Sequence, residues 1–245
     1  MNWKPYQIKI PRGARVLEIG SGGRPHPRST VLTDRFTNDA SHREGKGLAR
    51  DARPFVIADG QHLPFKDKSF DYCICMHVLE HVDNPELLLS EMQRIARAGY
   101  IETPTELFDW IFAVPPYTTI HKWYVENVEG TLCLARKSEL PATHRFAAVL
   151  DYLRREDPYF ERWLEKRPHL FTTQLEWQDT IPWKIINRSY YDGLESDRAV
   201  AQFCGPRWNA DKYFWGVGLW GRKRWIYSRF IHPVWRKMAK RLLGK

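Results

Sequence analysis

The sequence predicts an α/β fold, in which the strands of a parallel sheet alternate with crossover helices. Three observations predict it. Short apolar runs alternate with helix-like stretches through the first hundred residues, and several of these runs stop at a glycine turn or an aspartate. A chain of 245 residues that is 43% hydrophobic is also long enough to bury one sizeable core.

The predicted strands of the sheet are five short apolar runs. Four of them stop at a glycine, an aspartate or a proline, which are residues that commonly end strands. The runs are residues 15–19, 30–33, 54–58, 70–76 and 100–103.

One helix is predicted between the fourth and fifth strands. Asp83 or Asn84 is the expected N-cap. Pro85 suits the first turn, and Glu86 would close a capping box. Gly99 is expected to end the helix. The apolar face that should pack on the sheet consists of Leu88, Met92 and Ile95.

Beyond residue 108 the alternation gives way to an aromatic-rich stretch, which contains ten of the eleven tryptophans. The predicted elements there are a β-hairpin over 123–128 and 131–137, a helical stretch over 138–166, and closing strands over 172–186 and 213–220. We interpret this half as an elaboration on the first half and not as a separate domain.

The net charge of +9 is concentrated at one end of the chain. Residues 222–245 hold nine basic residues and no acidic one, whereas residues 1–221 hold 29 of each. The sequence therefore predicts a neutral domain over 1–221, with core motifs at 13–107 and an insert at about 108–170, followed by a basic tail over 222–245.

The basic tail has the pattern of an amphipathic helix. Apolar residues recur at helical spacing from Tyr227 to Leu242, and most of the basic side chains lie opposite. Pro233 either kinks this helix or marks its first turn. The pattern predicts contact with an anionic membrane surface. Docking on the protein's own domain is an alternative, and nucleic acid is the least favoured partner.

The sequence predicts a cytoplasmic protein, and the tail 222–245 predicts a peripheral position at the membrane. No apolar run approaches the ~18 residues that cross a bilayer. The first residues lack the apolar region of a signal peptide. The four cysteines form no C-x-x-C pair and are expected to be reduced thiols.

Three acidic residues mark the ends of the first three predicted strands. Glu18 precedes the glycine turn 20–23, and Asp34 and Asp59 follow the second and third strands. Ligands of open α/β sheets bind outside the carboxyl ends of the strands. Glycines let the backbone approach such a ligand, and the carboxylates can accept hydrogen bonds from ribose hydroxyls and from the amine of adenine. Together they predict a nucleoside-type ligand.

Four motifs support a narrower interpretation: 16–23 (VLEIGSGG), 58–65 (ADGQHLPF), 69–72 (SFDY) and 77–82 (HVLEHV). In combination they resemble the class I S-adenosylmethionine-dependent methyltransferases, and more narrowly the type 11 group. The resemblance covers roughly residues 13–137. It implies a Rossmann-like, seven-stranded, mainly parallel sheet with an antiparallel last strand, and S-adenosyl-L-methionine as the cofactor.

The resemblance also implies a cofactor site, in which no metal ion is expected. Glu18, Gly20 and Gly22 would lie under the methionine part, Asp34 on the ribose, Asp59 and Gly60 on the adenine, and His77 beside the cofactor through its backbone. Arg24 stands where the family pattern has a third glycine. The stretch 24–28 (RPHPR) leaves little room for a crossover helix before the second strand, and Asp39 is an alternative ribose ligand.

Two other families share parts of these motifs. A nicotinamide dehydrogenase would need a glycine at position 25, where this chain has Pro25. The stretch from His77 to His81 reads H-x-x-E-H, an inverted zinc-protease motif. That motif needs both histidines on one face of a helix, whereas His77 ends an apolar strand.

Two histidines are the candidate catalytic residues. Methylation of a hydroxyl needs a general base, and histidine is the most common one. His81 follows the fourth strand and His121 follows the fifth, so that both should border the mouth of the cofactor site. The Asn/Asp-Pro-Pro-Tyr/Phe motif of nucleobase-amine methylases is absent from the end of the fourth strand, where residues 76–78 read MHV.

The predicted reaction is O-methylation of a small-molecule or glycan-type acceptor, because the tryptophans and tyrosines of the insert can stack on sugar rings. A tail at the membrane would suit a lipid-linked acceptor. The alternatives are a non-catalytic S-adenosylmethionine-binding subunit anchored at a membrane, and an RNA methyltransferase that uses the basic tail.

Overall fold

The computed structural model describes residues 8–38, 47–111, 120–137 and 170–186. Several predictions concern residues outside these ranges. They are the alternative ribose ligand Asp39, the helical stretch 138–166, the closing strand 213–220 and the basic tail 222–245.

Nine strands and two helices lie within the described residues. In chain order they are β1 (Val16–Ile19), β2 (Val31–Asp34), β3 (Phe55–Ile57), β4 (Phe70–Met76), α1 (Pro85–Ile95), β5 (Ala96–Pro104), α2 (Glu106–Ile111), β6 (Trp123–Val128), β7 (Thr131–Arg136), β8 (Thr172–Gln178) and β9 (Trp183–Ile186). All five strands predicted in the first half are present, and β5 is longer than predicted because it begins where α1 ends.

Six strands form the main sheet, in the order β3-β2-β1-β4-β5-β8. The first five pair in parallel, and β8 pairs antiparallel with β5. This topology confirms the α/β fold with a mainly parallel sheet. The described residues contain six strands of this sheet, and the seventh strand stays a prediction. Strand order reverses between β1 and β4, and ligands of such sheets bind at this switch point.

The core lies between the central strands and α1. The face predicted for the helix is confirmed, because Leu88, Met92 and Ile95 are fully buried. They pack in one cluster with Leu17 and Cys75 of the central strands. Burial of each large apolar side chain contributes roughly 1.5–3 kcal/mol, so this face fixes α1 against the sheet.

The start of α1 differs in one detail from the prediction. Asn84 is the N-cap, and its side chain accepts a hydrogen bond from the backbone N–H of Leu87. Glu86 is therefore the second residue of the helix and not the third, which is the position that a capping box requires. The capping box was wrong because Asp83 and Asn84 both suit a cap, and the chain uses the later one.

The predicted end of α1 at Gly99 was also wrong. The helix ends at Ile95, and Gly99 lies within β5. A Cβ at this position would collide with the carbonyl oxygen of Cys73 on the neighbouring strand and lie 2.8 Å from the Trp177 ring. Close packing across the sheet therefore explains this glycine, and helix termination does not.

The predicted strand 172–186 is two strands in two sheets. The chain leaves the main sheet after β8 at Asp179, which adopts a positive φ of 60°. It then forms β9, which pairs in parallel with β7. The predicted hairpin is confirmed as β6 and β7, so that the second sheet has the order β6-β7-β9. No helix among the described residues is long and apolar enough to cross a membrane.

Candidate active site

An open crevice lies outside the carboxyl ends of the parallel strands. Seven of the nine predicted site residues line it, namely Gly20, Gly22, Asp34, Asp59, Gly60, His77 and His81. Its apolar walls include Ile19, Val78 and Val82. The crevice measures about 270 Å³, close to the lower end of ~300–1,000 Å³ for small-molecule pockets.

The glycine turn after β1 forms one wall of the crevice. Gly20 has a φ of +65°, and a Cβ on it would collide with the side chain of Val78. Gly22 also has a positive φ, and its N–H donates to Asp34 Oδ2 at 3.1 Å. The turn therefore depends on glycine at both positions, and it is fixed to the end of β2.

Asp34 is held in place at the end of β2. Its second carboxylate oxygen, Oδ1, accepts a hydrogen bond from the N–H of Phe36 at 2.9 Å. Both oxygens thus contact backbone N–H groups, one on each side of the crevice floor. These bonds fix the direction of a carboxylate that is 7% exposed and lines the crevice.

Asp59 follows β3 and lines the crevice, where its carboxylate pairs with Arg35. Its Oδ1 accepts a hydrogen bond from the N–H of Gln61 at 2.9 Å, and its Oδ2 lies 2.9 Å from Arg35 Nη1. The Arg35 side chain is 54% exposed. An exposed ion pair of this kind contributes only about 0–1 kcal/mol, so a ligand amine can displace the guanidinium at little cost.

Gly60 lets α1 approach the end of β1. A Cβ at this position would lie 2.9 Å from side-chain atoms of both Ile19 and Leu88. The side chain of Gln61 extends the same connection, because its Oε1 accepts a hydrogen bond from the N-cap residue Asn84. The adenine-binding segment predicted from the sequence is therefore held by the start of α1.

Glu18 lies beside the crevice and does not line it. Its side chain is buried, and Oε2 accepts hydrogen bonds from Ser29 Oγ at 2.5 Å and from the N–H of His26 at 2.8 Å. Burial raises the pKa of this carboxyl above its usual value, against the opposing effect of both hydrogen bonds. Glu18 thus fixes the short, helix-free connection from β1 to β2.

His77 follows β4 with a positive φ of 55°, an uncommon conformation for a residue other than glycine. Its N–H donates to the carbonyl of Glu102 at 2.8 Å, and its ring lies 3.4 Å from the Glu102 carboxylate and 3.7 Å from that of Glu80. Partial burial lowers the pKa of the ring, but the two carboxylates outweigh this effect and raise it to about 10. His77 therefore brings a positive charge to the crevice wall.

The two candidate catalytic histidines lie together, with ring centroids 4.8 Å apart. His81 Nδ1 lies 3.1 Å from the carbonyl oxygen of Ile120, and His121 Nδ1 lies 2.7 Å from Asp109 Oδ1. Lys137 Nζ donates to the other oxygen of Asp109 at 2.9 Å. Residues 40 positions apart in the chain thus meet because the start of β6 folds back over the segment after β4.

Glu80 lies beside this pair and is 1% exposed. Its Oε1 is 3.6 Å from His81 Nε2, and neither carboxylate oxygen has a hydrogen-bond partner among the described residues. Burial alone raises the pKa of Glu80, but the rings of His81 and His77 hold it below its usual value. Its carbonyl accepts backbone hydrogen bonds from residues 122 and 123, which join the two segments that carry the histidines.

Comparison with known proteins finds similarity to methyltransferases. A model of the methyltransferase domain matches residues 29–101, a stretch that begins after the glycine turn. An uncharacterized methyltransferase of Mycolicibacterium paratuberculosis is 45% identical over 156 residues, which are 60% of this chain and 60% of that protein. These matches support a class I S-adenosylmethionine-dependent methyltransferase.

Other relatives match shorter parts of the chain. An uncharacterized methyltransferase of Mycobacterium tuberculosis is 33% identical over 105 residues, which are 40% of this chain and 41% of that protein. The chain thus spans about two fifths to three fifths of the length of these relatives. A solved methyltransferase of Thermotoga maritima, described as a possible histamine N-methyltransferase, is 24% identical and covers 39% of this chain and 45% of its own, with a TM-score of 0.30.

S-adenosylmethionine is the cofactor expected from these similarities, and the crevice suits it. The carboxylates of Asp34 and Asp59 can accept hydrogen bonds from hydroxyl and amine groups, and apolar side chains also line the crevice. Sequence reasoning missed Arg35 and Asp109, because both act through contacts that only the folded chain creates. It also assigned no role to Glu80, although the H-x-x-E-H pattern contains that residue.

Proposed function

We propose that the protein transfers the methyl group of S-adenosylmethionine to a hydroxyl of a small-molecule or glycan-type acceptor. The observation that carries this proposal is that His81 lines the cofactor crevice while its ring contacts His121. A pair of imidazoles thus lies where an acceptor hydroxyl would enter. Bound S-adenosylmethionine supplies an electrophilic methyl group on a positively charged sulfur.

The residues of the crevice would hold the cofactor in three parts. Asp34 would bind the ribose hydroxyls, and the backbone of the turn at Gly20 and Gly22 would lie along the methionine part. Asp59 would accept a hydrogen bond from the adenine amine once Arg35 has moved aside. His77, which also lines the crevice, would lie beside the methionine part.

The hydrogen bonds of the two histidines prepare them to accept a proton. A carbonyl or carboxylate oxygen can only accept a hydrogen bond, so the N–H of each neutral ring lies on Nδ1, toward Ile120 and Asp109. Nε2 of each ring then carries the lone pair. The acceptor oxygen would attack the methyl carbon, the carbon–sulfur bond would break with its electron pair on sulfur, and the hydroxyl proton would pass to Nε2.

The alignment of the acceptor with the methyl group would lower the activation barrier more than the general base would. Holding two reactants in line can supply up to ~7–11 kcal/mol of the barrier, whereas a general base contributes typically ~10²–10⁴-fold in rate. The backbone bonds from residues 122 and 123 to Glu80 support such alignment, because they fix the histidine-bearing segments against each other.

The proposed class of acceptor and the proposed location of the protein rest on the sequence alone. The aromatic side chains beyond residue 108 favour a glycan-type acceptor, and the basic tail 222–245 favours contact with an anionic membrane surface. In this proposal the protein acts at the cytoplasmic face of a membrane.

The test is transfer of isotope-labelled methyl from S-adenosylmethionine into glycan and lipid extracts, with mass spectrometry of the labelled product. We expect a methyl ether, and we expect the double variant His81→Ala/His121→Ala to lose transfer while it still binds S-adenosylhomocysteine. His62→Ala, a change at an exposed histidine outside the site, is the control. Cofactor binding without transfer to any acceptor would favour the non-catalytic subunit, and label on nitrogen or carbon would contradict O-methylation.

A further inference from the structure

We propose that Glu80, His81 and His121 form a binding site for a divalent transition-metal ion beside the cofactor crevice. One ligand atom from each of these residues lies within 4.8 Å of the other two. The sequence predicted no metal here, because the H-x-x-E-H pattern pairs His77 with His81. The fold brings His121 to the cluster instead, from the segment before β6.

The outer contacts of both histidines orient them as metal ligands. A metal-binding histidine usually donates its other ring N–H to a carboxylate or a backbone carbonyl, which fixes the ring and its tautomer. His121 donates to Asp109, and His81 donates to the carbonyl of Ile120. Lys137 in turn holds the Asp109 carboxylate. Nε2 of His81 lies 3.6 Å from Glu80 Oε1, within the cluster.

The buried carboxylate of Glu80 provides an independent argument. An ionised carboxylate out of contact with water is costly unless it is paired or bound to a metal. Glu80 is 1% exposed, and within the described residues neither of its oxygens accepts a hydrogen bond. The charged ring of His77 pairs with it only at 3.7 Å, and the nearest nitrogen of His81 lies 3.6 Å away, so neither contact is a hydrogen bond. A cation between the carboxylate and the two Nε2 atoms would satisfy all three groups.

The donor set selects the class of cation. Two imidazoles and one carboxylate suit Zn²⁺, Mn²⁺, Fe²⁺ or Co²⁺, whereas Mg²⁺ and Ca²⁺ prefer oxygen ligands. Three protein ligands leave at least one coordination position open. Glu80 and His121 are buried, and the half-buried His81 lines the crevice. An open position on the side of His81 would face the crevice.

This position deepens the proposed function, on which the following step rests. A hydroxyl bound to a divalent cation loses its proton far more readily than a free one. The proton would then leave to water, because the Nε2 lone pairs are held by the cation. The histidines would act by holding the metal, and acceptors with an oxygen able to coordinate it would be preferred.

The test of the site itself needs no acceptor. The untagged full-length protein is stripped with a chelator, titrated with Zn²⁺ or Mn²⁺ by calorimetry, and assayed for bound metal by mass spectrometry. We expect one ion per chain, and binding at least tenfold weaker in Glu80→Gln and in His121→Ala. Asp109→Asn should weaken binding by about 10–100-fold, because it removes only the outer contact. Glu126→Gln, at a buried glutamate outside the cluster, and His62→Ala should bind as the wild type does.

Affinity for S-adenosylhomocysteine shows which variants are folded. Glu80→Gln and His121→Ala test the site separately, so that one variant remains informative if the other fails to fold. Absence of bound metal in the wild type, or equal affinity in a folded ligand variant and the controls, would overturn the proposal. Glu80, His81 and His121 would then share protons among themselves and would not hold a metal ion. Methyl transfer that resists the chelator would likewise overturn the catalytic step but leave the proposed function intact. Stoichiometric metal without any methyl transfer would support the site while contradicting the proposed function.

Discussion

Lys137→Met tests whether the candidate catalytic residue His121 is held by a buried charged network. Lys137 and Asp109 have side-chain exposures of 5% and 2%, and their charged atoms lie 2.9 Å apart. Removal of the lysine leaves the Asp109 carboxylate buried, with the His121 ring as its remaining partner among the described residues. Breaking a buried pair in this way costs roughly 3–5 kcal/mol of unfolding free energy, which corresponds to a Tm lower by roughly 6–20 °C for a chain of this size.

The assay is urea unfolding followed by tryptophan fluorescence, with Lys122→Met as the matched control. Lys122 also pairs with an aspartate, Asp83, at 2.5 Å, but the two side chains are 41% and 73% exposed. An exposed pair contributes at most about 1 kcal/mol, so this variant should unfold close to the wild type. Equal losses in the two variants would refute the view that burial gives the Lys137 network its strength.

Three further predictions concern the crevice, the acid stability and the tail. Gly60→Ala should cost about 1–3 kcal/mol of unfolding free energy and weaken cofactor binding, because its Cβ must displace Ile19 and Leu88; unchanged urea unfolding would contradict this. The hydrogen bond from Arg94 lowers the pKa of Glu91, so this carboxylate stabilises the fold above pH 4.5 and loses that effect as the pH falls below it. Glu91→Gln should therefore unfold with a shallower dependence on pH in acid, and a profile parallel to the wild type would count against the ion pair. Deletion of 222–245 should abolish cosedimentation with anionic vesicles and leave affinity for S-adenosylhomocysteine unchanged; continued cosedimentation would remove the membrane contact.

The positions of the strands could be predicted because each is a short apolar run with a polar stop. β4 was predicted to the residue for this reason. The errors occurred where tertiary packing decides. Gly99 has the pattern of a helix stop but serves the contact between β5 and its neighbours. The predicted strand 172–186 divides at Asp179, which has a positive φ, and the sequence pattern does not predict this backbone conformation.

The candidate site divides in the same way. Asp34, Asp59 and the glycine turn could be predicted, because in a parallel sheet the strand ends bring them to one edge. Glu18 also lies near the end of a strand, yet it contacts Ser29 and His26 because the connection after β1 is short. The meeting of His81 with His121 depends on a contact 40 residues apart, which neither motif reveals alone.

Calorimetric titration of the full-length protein with S-adenosylhomocysteine tests most directly whether the two strand-end carboxylates bind one adenosyl group. We expect binding of one molecule per chain, weaker by about tenfold or more in Asp34→Ala and in Asp59→Ala, because each change removes a charged hydrogen-bond acceptor worth roughly 1.5–3 kcal/mol. Asp67→Ala, at an exposed aspartate that pairs with Arg94, should leave the affinity unchanged. No measurable binding, or the same affinity in all three variants, would contradict the assignment of the crevice to the cofactor.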